Sequence, residues 1–247
     1  MDGHSPILAN TNPAVITYDP AYGYEIAHIV KRGIEHMYGH ADEDHNVMYY
    51  LTVYNEPVHQ PAEPEDLDVE GLHKGIYHFN TAEGGSIAAN ILASGVGVHE
   101  ALRAQQMLAD DFDVKASIFS VTSWNELARD GARRNKEALR KGEEPSEAFA
   151  TSQLKGYEGP FVGVSDFTTE LQEQIRPYVP GTYITLGADG FGFSDTRQAA
   201  RRLFHIDGPS VAVRALQVLA AATDGLAGEL VAEESPFGVQ YLLARWA

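Results

Sequence analysis

Apolar residues recur at helical spacing in the first part of the chain, at Ala27, Val30, Ile34 and Met37. This period predicts an amphipathic helix. Asp19 followed by Pro20 is typical of an N-cap and the first helical position, so the helix is expected to begin there. Gly39 follows the last periodic residue and is the predicted C-cap.

The pattern changes at residues 47–54, a β-branched and aromatic run without alternation. Such a run predicts a strand buried on both faces. The stretch that follows is rich in glutamate and contains Pro57, Pro61 and Pro64, with no apolar period. It is therefore predicted to be a linker.

Beyond the linker, strand-like and helix-like patterns alternate. Strands are expected near residues 75–79, 87–93, 116–121, 161–165 and 183–186, and helices near 101–109, from 125 onward, 169–178, 196–204 and 211–222. Residues 133–147 are polar and are predicted to form an insertion. Alternation of this kind predicts α/β layers around a largely parallel sheet.

The amino-acid composition excludes several classes of function. The 247 residues carry a formal net charge of −17, which argues against binding a phosphate backbone because nucleic-acid binding needs a basic surface. The chain has no cysteine, so disulfides, thiolate metal sites and cysteine nucleophiles are excluded. No signal peptide or membrane-length apolar run is evident, and a soluble, cytoplasmic protein is predicted.

Two glycine loops between a strand and a helix have the order of elements found in phosphate-binding turns. In the first, Gly95 and Gly97 are followed by Glu100 where a dinucleotide fingerprint needs a third glycine. In the second, Gly190 and Gly192 lack a third glycine and a Walker lysine. Carboxylates near both loops would repel a phosphate, so both are predicted to be scaffold turns.

In the second loop, acidic residues flank the glycines at positions 189 and 195. Asp195 or Ser194 is expected to cap the helix that follows. Ser123 is likewise predicted to be a capping serine, because nothing around it marks an activated nucleophile.

Other clusters of polar side chains give weaker signals for a site. His36 and His40 are four residues apart, but Gly39 interrupts the helix between them, which favours surface histidines over a metal site. The acidic run at 42–45 lacks the spacing of a calcium loop. The basic cluster of Arg129, Arg133 and Arg134 is expected to pair with carboxylates rather than bind an anion.

Five stretches of sequence carry a specific family resemblance: DGHSPILANTNPAVITYDPAYGYEIA, YYLTVYNEPVHQPAEPE, GLHKGIY, VTSWNELARDG and LGADGFGFSDTR. In this order they resemble the C-terminal third of the bacterial homodimeric-type pyruvate dehydrogenases, in an actinobacterial form. The resemblance covers about residues 1–223. It implies a transketolase C-terminal-like α/β domain with a mixed, mostly parallel sheet.

The resemblance also implies a domain organisation. Residues 1–56 would be the end of the pyrimidine-binding middle domain, 57–77 a linker, and 78–247 the transketolase-like C-terminal domain. The strand predicted at 47–54 would then lack sheet neighbours within this chain.

The activity that the resemblance implies belongs to the full enzyme, an oxidoreductase of pyruvate metabolism linked to glycolysis. It decarboxylates pyruvate with thiamine diphosphate and magnesium and transfers acetyl to the lipoyl groups of an acyltransferase component. The cofactor motifs of the family lie upstream of this chain, so the chain alone is expected to bind no cofactor, to be inactive, and to act as a scaffold in a homodimer.

Within this chain, only Asp2 and His4 match a turn at the substrate side of the family's cofactor site. Two other functional readings remain open at this stage. The chain could be a separate C-terminal subunit of a split transketolase-like thiamine diphosphate enzyme, or a stand-alone interaction module.

Overall fold

A computed structural model describes residues 3–39, 45–192 and 194–222 of the chain. The described helices are α1 (Ser5–Asn10), α2 (Gly23–Tyr38), α3 (Val69–Lys74), α4 (Gly97–Phe112), α5 (Trp124–Lys141), α6 (Phe149–Leu154), α7 (Thr169–Glu173), α8 (Arg197–Leu203) and α9 (Gly208–Ala222), with a 3₁₀ turn at Arg176–Tyr178. The described strands are β1 (Val15–Tyr18), β2 (Met48–Leu51), β3 (Tyr77–Thr81), β4 (Ile87–Ala93), β5 (Val114–Ser120), β6 (Phe161–Val164) and β7 (Tyr183–Leu186).

The larger sheet has the strand order β3-β5-β4-β6-β7. β3 runs antiparallel to β5, and every other neighbouring pair is parallel. Helices α4 and α9 cover one face of this sheet over one hydrophobic core, and α5, α6 and α7 contribute to a second core on the other face. The predicted α/β class with a mixed, mostly parallel sheet is confirmed.

The smaller sheet is a parallel pair in which Val15 of β1 lies opposite Met48 of β2. Two expectations about residues 47–54 are therefore wrong. The strand has a neighbour, β1. The sequence pattern did not reveal β1 because this strand is only four residues long, lying between a turn and the buried Asp19. The strand is also not buried on both faces, since Met48 is 62% exposed.

Helix α2 begins later than predicted. Its N-cap is Tyr22, and the Glu25 carboxylate accepts hydrogen bonds from the backbone amides of Ala21 at 2.5 Å and Tyr22 at 3.0 Å. Asp19 caps nothing, because its side chain is bound elsewhere in the fold. The end of the helix is as expected, with Gly39 as C-cap.

The face of α2 that packs inward is offset from its apolar stripe. Glu25, Ile29 and Gly33 are buried. Val30 and Ile34 are 44% and 54% exposed. The apolar period thus located the helix correctly, although the buried face also includes a carboxylate and a glycine that give no apolar signal.

Two helices differ in length from the sequence-based expectations. The predicted polar insertion at 133–147 is mostly the continuation of α5, whose outer face is polar because it meets water. The helix expected at 169–178 stops at Glu173 and resumes as the 3₁₀ turn that contains Pro177. Ser123 caps α5 as predicted, since its Oγ accepts a hydrogen bond from the amide of Glu126 at 3.1 Å.

The second glycine loop connects β7 to α8, and its capping residue was mispredicted. The N-cap of α8 is Thr196, whose Oγ1 accepts a hydrogen bond from the amide of Ala199 at 3.3 Å. Asp195 instead accepts a bond from the amide of Thr196 at 2.7 Å, one residue too early to close the first helical turn. Gly190 has a φ of +81°, so glycine serves the backbone geometry of this loop.

We expect Thr196→Ala to lower the free energy of unfolding by about 0.5–1 kcal/mol, because it removes the side-chain cap of α8. Ser194→Ala is the matched control, since Ser194 is exposed and lies before the cap. Urea denaturation of both variants tests the assignment. Equal stability of the two variants would contradict it.

Candidate functional site

The carboxyl ends of strands from both sheets converge on one buried polar region. Parallel α/β sheets place their ligand sites at this edge, so it is the first region to examine for function. It contains residues that directly follow β1, β2, β4 and β6, and one residue of α8: Asp19, Thr52, Tyr54, Glu56, Ser94, Gly95, Ser165, Asp166 and Arg201.

Asp19, directly after β1, is at the centre of the region and is buried. Its Oδ1 accepts hydrogen bonds from Thr52 Oγ1 at 2.5 Å and Tyr54 OH at 2.7 Å, and its Oδ2 accepts one from Ser94 Oγ at 2.6 Å. Burial raises the pKa of this carboxyl, and the three hydroxyl donors oppose the rise. The network joins the ends of β1 and β2 to the end of β4.

The turn after β4 approaches this carboxylate so closely that a side chain would not fit. Gly95 has a φ of +50°, and a Cβ there would lie 2.5 Å from both Asp19 Oδ1 and Tyr54 OH. Its amide donates to the Asp19 carbonyl at 3.0 Å. The first glycine loop is therefore a tight turn, as predicted, and its glycine accommodates a carboxylate rather than a phosphate.

Arg201 of α8, itself buried, forms a second polar group with three carboxylates. Its guanidinium makes a bidentate pair with Glu56, at 2.5 and 3.1 Å, and lies 3.5 Å from Glu100 and 3.8 Å from Asp166. Burial raises the pKa of Asp166 to about 7; Arg201 opposes the rise, and the carboxylates of Asp19, Glu56 and Glu100 add to it. The pKa of Glu56 is lowered, mainly by its hydrogen bond from Arg201.

Glu100, which replaces the glycine of a dinucleotide fingerprint, has a structural role in this group. Its Oε2 accepts a hydrogen bond from the amide of Gly208 at 2.8 Å, at the first residue of α9. The Glu100 carboxylate, whose charge would repel a phosphate, thus binds the N-terminus of α9 within the protein.

Glu25 forms a third connection between the two sheets. Its Oε1 accepts hydrogen bonds from Tyr77 OH and Ser120 Oγ, both at 2.7 Å, while Oε2 caps its own helix. Burial raises the pKa of this carboxyl, and the hydrogen bonds from Ser120, Tyr77 and the backbone oppose that rise. α2 is thereby attached to β3 and to the end of β5.

The residues present do not fit the diphosphate or the magnesium of thiamine diphosphate. The loop after β7 places a carboxylate at the N-terminus of α7, where Asp189 accepts a hydrogen bond from the amide of Thr169 at 2.8 Å. A diphosphate there would face a carboxylate. Among the residues that the structure describes, no three His, Asp or Glu side chains are grouped as a metal site.

The structure places one of the two predicted site residues. Asp2 lies outside the described residues, whereas His4 is exposed at the N-cap of α1. The preceding Gly3 accepts a hydrogen bond from the amide of Thr168 at 3.0 Å, and a Cβ on it would lie 2.5 Å from the Ala188 carbonyl oxygen. This turn therefore packs against the loops that follow β6 and β7.

The remaining clusters behave as structural groups. Arg129 pairs with Glu126 at 3.4 Å, and Arg133 and Arg134 pair with Asp130 at 2.6 and 2.8 Å, so the predicted salt bridges are confirmed. His36 Nδ1 lies 3.0 Å from Tyr49 OH. His40 and residues 42–44 lie outside the described ranges.

Comparison with known families identifies the larger part of the chain. Residues 75–207, just over half of it, match the transketolase-like TK C-terminal domain. The chain belongs to this family. Residues 1–61 match the middle domain of the pyruvate dehydrogenase E1 component. The two matches follow each other along the chain in the order that the resemblance implied.

Curated relatives agree with this assignment. The chain is 61% identical over 221 residues to the pyruvate dehydrogenase E1 component of Corynebacterium glutamicum, 57% identical to that of Mycolicibacterium smegmatis and 42% identical to that of Escherichia coli K12. Each match covers 89% of this chain and 24% of the relative. The chain thus spans about a quarter of the length of these relatives, and the resemblance to actinobacterial pyruvate dehydrogenases is confirmed.

Solved structures confirm the fold at low sequence identity. Transketolase from Leishmania mexicana has a TM-score of 0.61 at 16% identity, over 91% of this chain and 28% of that chain. A split gene transketolase described as an inactive beta4 tetramer has a TM-score of 0.53 at 14% identity, over 89% of this chain and 63% of that chain. In the described part of the chain, no helix has the length and hydropathy required to span a membrane.

We expect Asp166→Asn to stabilise the protein above pH 7. A carboxyl whose pKa rises from 3.8 to about 7 on folding destabilises the fold progressively between those pH values and fully above them. The whole effect is at most about 4 kcal/mol. Urea denaturation from pH 4.5 to 8.5 should show that the free energy of unfolding of the variant rises relative to that of the wild type as pH increases. A difference in free energy of unfolding that stays constant with pH would contradict the prediction.

Proposed function

We propose that this chain is the C-terminal portion of a pyruvate dehydrogenase E1 component, an oxidoreductase that decarboxylates pyruvate and transfers acetyl to lipoyl groups. The observation that carries the proposal is the 61% identity over 221 residues to the Corynebacterium glutamicum protein of that name. The buried groups around Asp19, Glu25 and Arg201 support it, because they join a middle-domain segment to a transketolase-like domain.

In this proposal the chain contributes structure rather than chemistry. The upstream part of the enzyme holds thiamine diphosphate and magnesium, and thiamine diphosphate supplies the carbanion chemistry when bound. On the family resemblance, the proposal assigns Asp2 and His4 to the substrate side of the cofactor site. The enzyme works as a cytoplasmic homodimer with a lipoyl-bearing acyltransferase, and residues 1–56, 57–77 and 78–247 are middle domain, linker and C-terminal domain.

A second candidate is a separate C-terminal subunit of a split thiamine diphosphate enzyme. It is favoured by the structural similarity to the split gene transketolase, which its title describes as an inactive beta4 tetramer. Co-expression of this chain with an upstream polypeptide distinguishes the two candidates. A natural split subunit would restore activity without a covalent connection between the two polypeptides.

A chimeric enzyme tests the proposed function directly. This chain would replace the matching C-terminal part of the Corynebacterium glutamicum enzyme, and pyruvate turnover would be measured with thiamine diphosphate and magnesium. We expect turnover within about tenfold of the parent enzyme, because the two sequences are 61% identical over 221 residues. The chain alone should give none. A chimera that folds but does not turn over pyruvate would contradict the proposal.

A further inference from the structure

One face of the larger sheet carries a cavity near the N-terminal ends of its strands. Phe119 of β5 belongs to the core formed with α5, α6 and α7. Two residues earlier, the same face presents Ser117, paired across the strands with Asn90, and four residues earlier Lys115, paired with Ala88. A cavity of 390 Å³ lies over these two rows of residues. Its volume is that of a site for a small organic molecule.

Two opposite charges border the cavity without a partner among the described residues. Lys115 of β5 and Glu158, in the loop before β6, are both exposed and both line it. Ala88 of β4 lies between them, because it pairs with Lys115 on one side and its carbonyl approaches Gly159 on the other. In the described part of the chain, neither side chain takes part in a hydrogen bond or an ion pair. Both charges are therefore available to a ligand.

Asn90 of β4 adds a buried acceptor to the cavity. The residue is 1% exposed, and its Nδ2 donates to the carbonyl oxygens of Glu158 at 2.8 Å and Pro160 at 3.4 Å. These two bonds hold the amide in place. No described residue donates to its Oδ1. A buried amide oxygen without a donor is costly, and an N–H or O–H group of a ligand would satisfy it.

The side chains on the β3 side of the cavity are fixed by their own contacts. Thr81 Oγ1 lies 2.9 Å from Ser117 Oγ and 2.8 Å from His78 Nε2, which joins the two hydroxyls to an imidazole. Tyr157 stacks on His78 with ring centroids 5.9 Å apart and packs edge-on against Phe119 at 4.8 Å. Walls that are ordered before a ligand arrives lower the entropic cost of binding it.

The charges around the cavity match a molecule that carries both signs. A simple anion would meet Lys115 but also the carboxylates of Glu158 and of Asp113, which binds the cavity residue Ser86 at 2.5 Å. A simple cation would meet the Lys115 ammonium. Two strand spacings of about 4.8 Å separate β5 from β6, so the long side chains of Lys115 and Glu158 converge on a small zwitterion from either side. A zwitterion also adds no net charge to a chain of −17.

We propose that this cavity binds an α-amino acid with a polar, uncharged side chain. Lys115 binds the carboxylate of the amino acid and Glu158 binds its ammonium group. The side chain of the amino acid donates a hydrogen bond to Asn90 Oδ1, beside the hydroxyl of Ser117. The cavity residues all lie between positions 81 and 158, within the transketolase-like match, so the site goes beyond the proposed function and does not depend on it.

Isothermal titration calorimetry of the chain tests this site, with serine, threonine, asparagine, glutamine and tyrosine as the probes. At least one of the five should bind with a Kd below about 1 mM. Two analogues of that amino acid, one without its α-amino group and one without its carboxylate, should each bind at least about tenfold more weakly, because each leaves one charge of the cavity unmatched. The same titrations on the chimeric enzyme test the site in a longer protein.

Two variants that each remove one charge identify the contacts. Lys115→Gln should weaken binding of the amino acid at least about tenfold and leave binding of the analogue without a carboxylate unchanged. Glu158→Gln should weaken binding of the amino acid equally and leave binding of the analogue without an amino group unchanged. Lys136→Gln on α5 and Glu65→Gln are the matched controls at exposed positions outside the cavity, and both should bind as the wild type does.

Failure of all five amino acids to bind at about 10 mM, to the chain and to the chimera alike, would overturn the proposal. Equal affinity for the amino acid and for its analogue without an amino group would also overturn it, in favour of an anion site at Lys115. Equal losses of affinity in Lys115→Gln and Lys136→Gln would place the binding outside this cavity and overturn it too. None of these results bears on the turnover of the chimera, which tests the proposed function separately.

Discussion

The buried carboxylate of Asp19 is the constraint on which the arrangement of the two sheets depends. An ionisable group without water must be fully hydrogen-bonded, and its donors come from Thr52 and Tyr54 after β2 and from Ser94 after β4. These donors meet only when the carboxyl ends of both sheets come together. The cost of burying one carboxylate thus selects one relative placement of the sheets.

The other two buried groups follow the same principle with different chemistry. Glu25 reaches from α2 to hydroxyls of β3 and β5, and Arg201 reaches from α8 to Glu56, beyond the end of β2. A two-stranded parallel pair is too small to be stable by itself. Here an apolar core that includes Ile16, Ile29 and Tyr77 packs it against α2 and β3. The polar, directional contacts add to this core and define the position of the small sheet on the larger one.

Local pattern predicted the larger sheet well and the connection between the sheets poorly. Strands β4, β6 and β7 were located because each is a short apolar run ended by a turn signal. Asp19 was assigned to a cap because its sequence neighbours fit one, whereas its partner Ser94 is 75 positions away. No local period encodes such a pairing. The apolar period also located α2, but Glu25 on its buried face gives no apolar signal.

In this chain, carboxylates of the protein itself lie at the sheet edge where α/β proteins usually bind ligands. At three positions in the described part of the chain where an anion could be held, a carboxylate of the protein is present: Asp19 beside Gly95, Glu100 at the start of α9 and Asp189 at the start of α7. The first glycine loop, which has the outline of a phosphate-binding turn, therefore contacts a carboxylate from elsewhere in the fold. Its spacing reflects how closely the Gly95 backbone and Asp19 approach, whereas Gly190 of the second loop has no neighbour within 4 Å of its Cβ position and serves the backbone geometry of the turn.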